Sequence, residues 1–264
     1  MILDRFRLDG HVAIVTGGGR GIGRAIALAY AEAGADVVVA ARRPEVIELV
    51  ADAVRARGRR ALAVPTDVTV GAQLDALVAQ TLDAFGRLDV VVNNAGGAPP
   101  TIAIGLTDDE FEAAYHFNVT SALHLSRVAA PHLKASGRGS IVNVSSAMSH
   151  LVDSGFVAYG AAKAALNHMT RLLAREWAPH VRVNALAVGA TVTDALGAFV
   201  SMGETRAQME ALTPLGRLGE PEDIAAAALW LASPAGSWVT GKVVEVDGGT
   251  TATNWPFPIP GGLD

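Results

Sequence analysis

Residues 12–34 read VAIVTGGGRGIGRAIALAYAEAG. The first five form a short β-branched run, the pattern of a strand buried on both faces. From Gly21 onward the stretch is alanine-rich, with Ile22, Ile26, Ala29 and Tyr30 at helical spacing and Gly34 placed to close the helix. Between them lies Thr16-Gly17-Gly18-Gly19-Arg20-Gly21-Ile22-Gly23. Strand, glycine turn and helix make the first half of a βαβ unit. Glycines there let the backbone approach a pyrophosphate, and the helix N-terminus stabilises its charge. The spacing is GxxxGxG rather than the GxGxxG of the usual dinucleotide fingerprint, and a tight turn alone would also ask for glycine.

The alternation continues outward from this unit. Residues 36–41 (DVVVAA) predict a second strand, 44–57 a polar helix, 60–65 a third strand and 72–85 a helix ended by Gly86. A fourth strand over 88–92 opens into Asn93-Asn94-Ala95-Gly96-Gly97. One long helix is expected over 108–135, capped by Thr107 or Asp108. A fifth strand over 140–144, a helix reaching Trp177 before Pro179, and a sixth strand over 181–186 follow. Residues 189–219 lack strong periodicity and read as a loop with short helices. Pro221 begins a helix, and 242–246 make the seventh strand. Helix-length connections between successive strands demand a parallel sheet with helices on both faces. With no linker and no repeat, residues 1–264 are expected to form a single α/β domain, with 250–264 as an extended arm.

Composition removes several classes of function. A chain of 264 residues, 50% hydrophobic and 18% charged, buries about 70–75% of its unfolded surface and needs no staples. Cysteine is absent, which removes disulfide and thiolate chemistry and suits a reducing, cytoplasmic setting. The formal charge is -5 and no block of Lys or Arg suggests nucleic acid. The N-terminal MILDRFRLDG carries no apolar core of a signal peptide, and the apolar runs are short of a membrane span.

A second stretch carries chemistry. Residues 146–163 read SAMSHLVDSGFVAYGAAK. Tyr159 and Lys163 fall at i and i+4, so on a helix they share a face. A nearby ammonium favours a phenolate and lowers the tyrosine pKa, giving a general acid/base usable near neutral pH. Ser146 is placed to hydrogen-bond the same substrate oxygen. The seven histidines show no metal-ligand spacing, and no metal is expected; His116 and His150 lie near the motifs as candidates to line a pocket.

TGGGRGIG, NNAGG, a mid-helix Asn118, Ser146 and Tyr159-x-x-x-Lys163 occur in order on the appropriate elements. Together they resemble the short-chain dehydrogenase/reductase family, over a span from about Leu8 to Gly249. The resemblance implies a Rossmann fold of seven parallel strands, doubly wound, and an oxidoreductase that moves hydride between a nicotinamide and a secondary alcohol or ketone. It implies that Gly17, Gly21 and Gly23, with Ile22 between them, hold the dinucleotide phosphates. Asp67 and Val68 would hold the adenine, and Asn94, Ala95 and Gly96 the wall by the adenosine ribose. Asn118, Ser146, Tyr159 and Lys163 match the family's catalytic tetrad. Tyr159 and Lys163 also serve the cofactor, Lys163 through the nicotinamide ribose. Gly189 and Thr193 match the nicotinamide loop, with Val188 where the family often has proline.

The resemblance also bears on cofactor, substrate and assembly. NAD users commonly carry an acid after the second strand to hold the ribose 2′-OH. Here Ala41 stands at that place, Arg42 follows, and Arg20 sits within reach in the glycine loop. Two guanidiniums without a carboxylate suit a 2′-phosphate, so NADP(H) is expected over NAD(H). NNAGG, HLSRVAAPHL, GATVTDAL and EPEDIAAAALWLASPAGSWVTG resemble the bacterial 7α-hydroxysteroid dehydrogenases of the family. That nominates a bulky alcohol or ketone, held by Met148, Leu151, Phe156, Leu196, Phe199 and Met202. A 3-oxoacyl-carrier-protein reductase is the alternative enzyme, and a catalytically silent NADP(H)-binding regulator the alternative of another class. A homotetramer or dimer is implied, with no nucleic-acid or membrane partner. Specificity is expected from the 147–157 loop, the 189–212 segment and the tail, and the apolar tail around Trp255 is expected to pack on a neighbouring subunit, over its pocket.

Overall fold

The structure, a computed structural model, describes residues 1–193, 196 and 203–256. Seven strands form one parallel sheet: β1 (Val12–Thr16), β2 (Asp36–Ala41), β3 (Ala61–Pro65), β4 (Val90–Asn93), β5 (Gly139–Val144), β6 (Val181–Val188) and β7 (Val243–Val246). Their order is β3-β2-β1-β4-β5-β6-β7. Between them run α1 (Gly21–Glu32), α2 (Pro44–Arg55), α3 (Gly71–Phe85), α4 (Asp108–Tyr115), α5 (Ser121–Ser136), α6 (Val157–Trp177), α7 (Gly203–Ala211) and α8 (Pro221–Ala232).

β1 occupies the centre because VAIVT is apolar enough to be covered on both sides. Ala13 and Val15 join one core with Ile26, Tyr30, Ile224 and Leu231. Ile14 joins the other with Leu74, Leu125, Ile141 and Leu173. The alternation of side chains across a strand sends neighbours to opposite layers. β1 pairs with β2 on one side and β4 on the other, so the chain reverses its winding there. Such a switch point opens a crevice at the carboxyl ends of the strands.

The expected elements are present, with three informative differences. The single helix expected over 108–135 is two α-helices joined by a π-turn, His116–Thr120. No glycine or proline marks the turn; a side-chain demand explains it, since Asn118 Nδ2 donates to Ala114 O at 2.8 Å and to Gly97 O at 2.9 Å. β4 starts at Val90, two residues later than the apolar pattern indicates, because buried Asp89 is a hub: it accepts from Val12 N at 2.8 Å and pairs with Arg87 and Arg138. β6 runs on to Val188 rather than stopping at Leu186. Thr107 is the N-cap of α4, in a reciprocal capping box with Glu110. Among the described residues no helix is long and apolar enough to cross a membrane.

Candidate active site

A cleft of about 1220 Å³ opens along the carboxyl edge of the sheet. At one end lies the turn from β1 to α1. Gly17 (φ +63°) and Gly21 (φ +48°) hold backbone angles that suit glycine. Gly23 is required by contact: a Cβ there would lie 2.3 Å from Gly17 O and 2.5 Å from Asn94 Nδ2. The first turn of α1 carries no acid, so its N-terminus offers uncompensated positive potential to the cleft. This bare backbone cradle fits the pyrophosphate of a dinucleotide.

Two residues fasten the cradle to the rest of the sheet. Thr16 Oγ1 donates to Val92 O at 3.1 Å and accepts from the amides of Asn94 and Ala95 at 3.0 and 3.2 Å. Asn94 Nδ2 donates to Thr16 O at 2.9 Å and Gly17 O at 3.3 Å. Asn94 is thus a clamp between β1 and β4 as well as a cleft wall. Thr16 opens the TGGGRGIG motif, but its part in joining β1 to the end of β4 is not legible in the sequence.

Every cofactor residue expected from the sequence lines this one cleft: Gly17, Arg20, Gly21, Ile22, Gly23, Ala41, Arg42, Asp67, Val68, Asn94, Ala95, Gly96, Tyr159, Lys163, Gly189 and Thr193. Arg20 and Arg42 are exposed beside half-buried Ala41. The hydroxyl and amide of Thr69, with Arg42 nearby, hold the Asp67 carboxyl below its usual range. Gly189 has a packing reason of its own: a Cβ would meet Asp247 Cα at 2.6 Å, where β6 and β7 end side by side.

Ser146, Tyr159 and Lys163 line the same cleft beyond the glycine cradle. Ser146 leaves the end of β5 in extended conformation and accepts from Met148 N at 3.2 Å. Tyr159 and Lys163 are one turn apart on α6, with Lys163 Nζ 5.6 Å from the tyrosine ring centre. Asn118 lies beneath, buried; its Oδ1 accepts from Gly97 N at 2.9 Å. A Cβ on Gly96 would sit 2.7 Å from Asn118 Oδ1 and 3.0 Å from Lys163 Nζ. The absent side chain at Gly96 is what lets these two groups approach one another.

The electrostatics correct one expectation. Tyr159 is not acidified in the chain alone: burial raises its pKa, and a hydrogen bond with Ser146 offsets only part of the rise. Lys163 is itself desolvated, brought down from 10.5 to about 8, and donates to Val144 O at 2.9 Å. A phenol kept protonated is the form needed to give a proton to a reduced carbonyl. Lys163 also makes stability pH-dependent. Its folded pKa lies below its unfolded one, so between about pH 8 and 10.5 the unfolded chain holds more protons. Its contribution to stability therefore rises with pH across that window and is flat below it. The stability of cofactor-free wild type relative to Lys163→Met should climb by up to about 3 kcal/mol, at about 1.4 kcal/mol per unit. Thermal melts over that range check this; a constant difference would contradict it.

A family model described as enoyl-(acyl carrier protein) reductase matches residues 17–251. An uncharacterized oxidoreductase of Mycobacterium tuberculosis is 52% identical over 261 residues, covering 98% of this chain and 99% of that protein. The chain belongs to the short-chain dehydrogenase/reductase family. As a member, it is an oxidoreductase that works with a nicotinamide cofactor. The 7α-hydroxysteroid dehydrogenase of Escherichia coli is 40% identical over 247 residues, 93% of this chain and 96% of the enzyme. A solved structure of 7α-hydroxysteroid dehydrogenase, complexed with NADH and 7-oxo glycochenodeoxycholic acid, matches with a TM-score of 0.90 at 40% identity. That match covers 94% of this short-chain dehydrogenase/reductase and 97% of the other chain.

The cleft also has a set of apolar lining residues. Met148, Leu151, Phe156 and Leu196 line it as expected, joined by Pro100, Met209 and Trp255; Phe199 and Met202 lie outside the described residues. His116 and His150 do not line it: His116 Nε2 meets Thr69 O at 2.9 Å, and His150 faces Glu245 at 3.8 Å. The start of the tail reaches the cleft. Trp255 packs edge-on against Phe156 of its own chain, ring centres 5.7 Å apart; residues 257–264 lie outside the described residues.

Proposed function

We propose that this chain reduces a bulky, apolar ketone to a secondary alcohol, or runs the reverse oxidation, with NADP(H) preferred over NAD(H). The observation that carries the reading is the single cleft that joins the glycine cradle, Ser146, Tyr159 and Lys163, and a set of apolar lining residues. The similarity to 7α-hydroxysteroid dehydrogenase supports a polycyclic substrate of that kind. Residues Gly17–Gly23, Asp67, Val68, Asn94–Gly96, Gly189 and Thr193 would hold the cofactor, which supplies or accepts the hydride at its nicotinamide.

The chain's own groups handle the oxygen and the proton. Tyr159 gives its proton to the developing alkoxide. Ser146 hydrogen-bonds that oxygen and stabilises charge as it forms. Lys163 would hold the nicotinamide ribose. Asn118, fixed in its π-turn, orders the water that returns a proton toward Lys163. The exposed Leu123 on α5 and Leu172 on α6 support pairing of these helices between subunits, as a homotetramer or dimer.

The guanidiniums of Arg20 and Arg42 beside Ala41 support the NADP(H) preference. Charge-assisted bonds are worth about 1.5–3 kcal/mol each, so NADPH should exceed NADH in kcat/KM by roughly tenfold or more. Ala41→Asp with Arg42→Ala should reverse that order. Initial rates with both cofactors on hydroxysteroids, 3-oxoacyl thioesters and simple ketones test the whole reading. Equal rates with the two cofactors would end the preference. Turnover confined to thioesters would favour a carrier-protein reductase, and cofactor binding with no turnover would favour a regulator.

A further inference from the structure

We propose that Trp255, braced by Phe156, decides which ketones the cleft accepts: it walls the substrate end within its own chain and selects a rigid, fused-ring body over a small ketone. This rests on the reading above that the cleft reduces a ketone.

The two rings meet at 86°, edge to face, 5.7 Å between centres, a favoured arrangement for aromatic pairs. Phe156 is the N-cap residue of α6, three positions before Tyr159. The Phe156 carbonyl accepts from Gly160 N at 2.7 Å, which fixes it to the first turn of α6, the turn that carries Tyr159. The apolar wall is therefore set at a fixed offset from the phenol. Trp255 reaches it by a tethered path. Gly248 (φ +73°) and Gly249 (φ +84°) turn the chain after β7. Gly248 O accepts from Leu215 N at 3.1 Å. Asn254 Nδ2 donates to Thr213 Oγ1 at 2.9 Å, and Thr253 Oγ1 accepts from Trp255 N at 3.1 Å. Both ends of the strap are thus tied to the segment that follows α7, whose Met209 lines the same cleft.

An indole held by its backbone and by a neighbouring ring presents a flat, rigid apolar face. A fused-ring body has no internal rotation to lose on meeting such a face, so burial of its surface appears as affinity. A small ketone bound at Ser146 and Tyr159 offers much less surface to bury against it. Trp255 carries no group that titrates near neutral pH, so it acts on substrate fit and not on proton transfer.

The test uses the full chain with NADPH, and trans-1-decalone against 2-butanone. Trp255→Ala should raise KM for decalone by roughly tenfold or more with kcat little changed, while kcat/KM for butanone stays within about twofold. Trp255→Phe should keep most of the discrimination. A second readout needs no turnover: decalone added to the cofactor complex should change the fluorescence of the wild type, and the change should vanish in Trp255→Phe. If both ketones react and their kcat/KM ratio is the same in Trp255→Ala, the proposal is overturned and the ketone reductase stands. If neither reacts but Trp255 fluorescence responds to decalone, the wall stands and the reaction falls. Absence of both signals overturns both.

Discussion

Tyr159→Phe should lose kcat by roughly 10²–10⁴-fold, the range spanned by a positioned general acid, while cofactor affinity stays close to wild type. The substitution removes one oxygen and leaves the ring, so α6 keeps its packing and Lys163 keeps its bond to Val144 O. What disappears is the proposed proton donor, a hydroxyl whose pKa burial raises and which is in hydrogen bond with Ser146. Stopped-flow hydride transfer together with fluorescence titration of NADPH separates chemistry from binding. A phenylalanine variant with near-wild-type kcat would mean that the proton comes from another group, and the assignment of Tyr159 would be lost.

Gly23→Ala should be the most damaging single-methyl change in the cradle. The new carbon has nowhere to go: it meets Gly17 O at 2.3 Å and Asn94 Nδ2 at 2.5 Å. Moving either breaks the clamp in which Asn94 Nδ2 holds Thr16 O and Gly17 O. Overpacking of this kind costs about 1–3 kcal/mol. NADPH affinity should fall by at least tenfold, since about 1.4 kcal/mol of lost cradle geometry already gives that. Thermal melts and titration of the variant check both halves. Gly105→Ala is the control, because its Cβ would meet only Ile102 at 3.8 Å and should leave both unchanged. A Gly23→Ala protein that binds NADPH like the wild type would show that the clamp yields without consequence.

What the sequence made legible follows from how local each cause is. The seven strands were readable because β-branched runs such as VAIVT, DVVVAA and VVVN carry their burial in their own composition. The cleft residues were readable because short motifs announced them. Features set by contact between distant segments were not. The part of Thr16 in joining the strands depends on Asn94, 78 positions away. The π-turn depends on Gly97, 21 positions from Asn118. Tyr159's raised pKa depends on what buries it, which i, i+4 spacing does not report. The contact of Trp255 with Phe156 was not readable either, because the two lie far apart in the chain.

The π-turn at His116–Thr120 has a geometric effect that extends beyond Asn118. An α-helix advances about 100° per residue, so a wider loop in mid-helix resets the azimuth of everything after it. The face of α5 that meets α3 and the orientation of the Asn118 amide can then be adjusted separately. An uninterrupted rod would couple them, and a residue change chosen for one would spoil the other. The irregular turn acts as a clutch between a wall that must stay packed and an amide that must stay aimed.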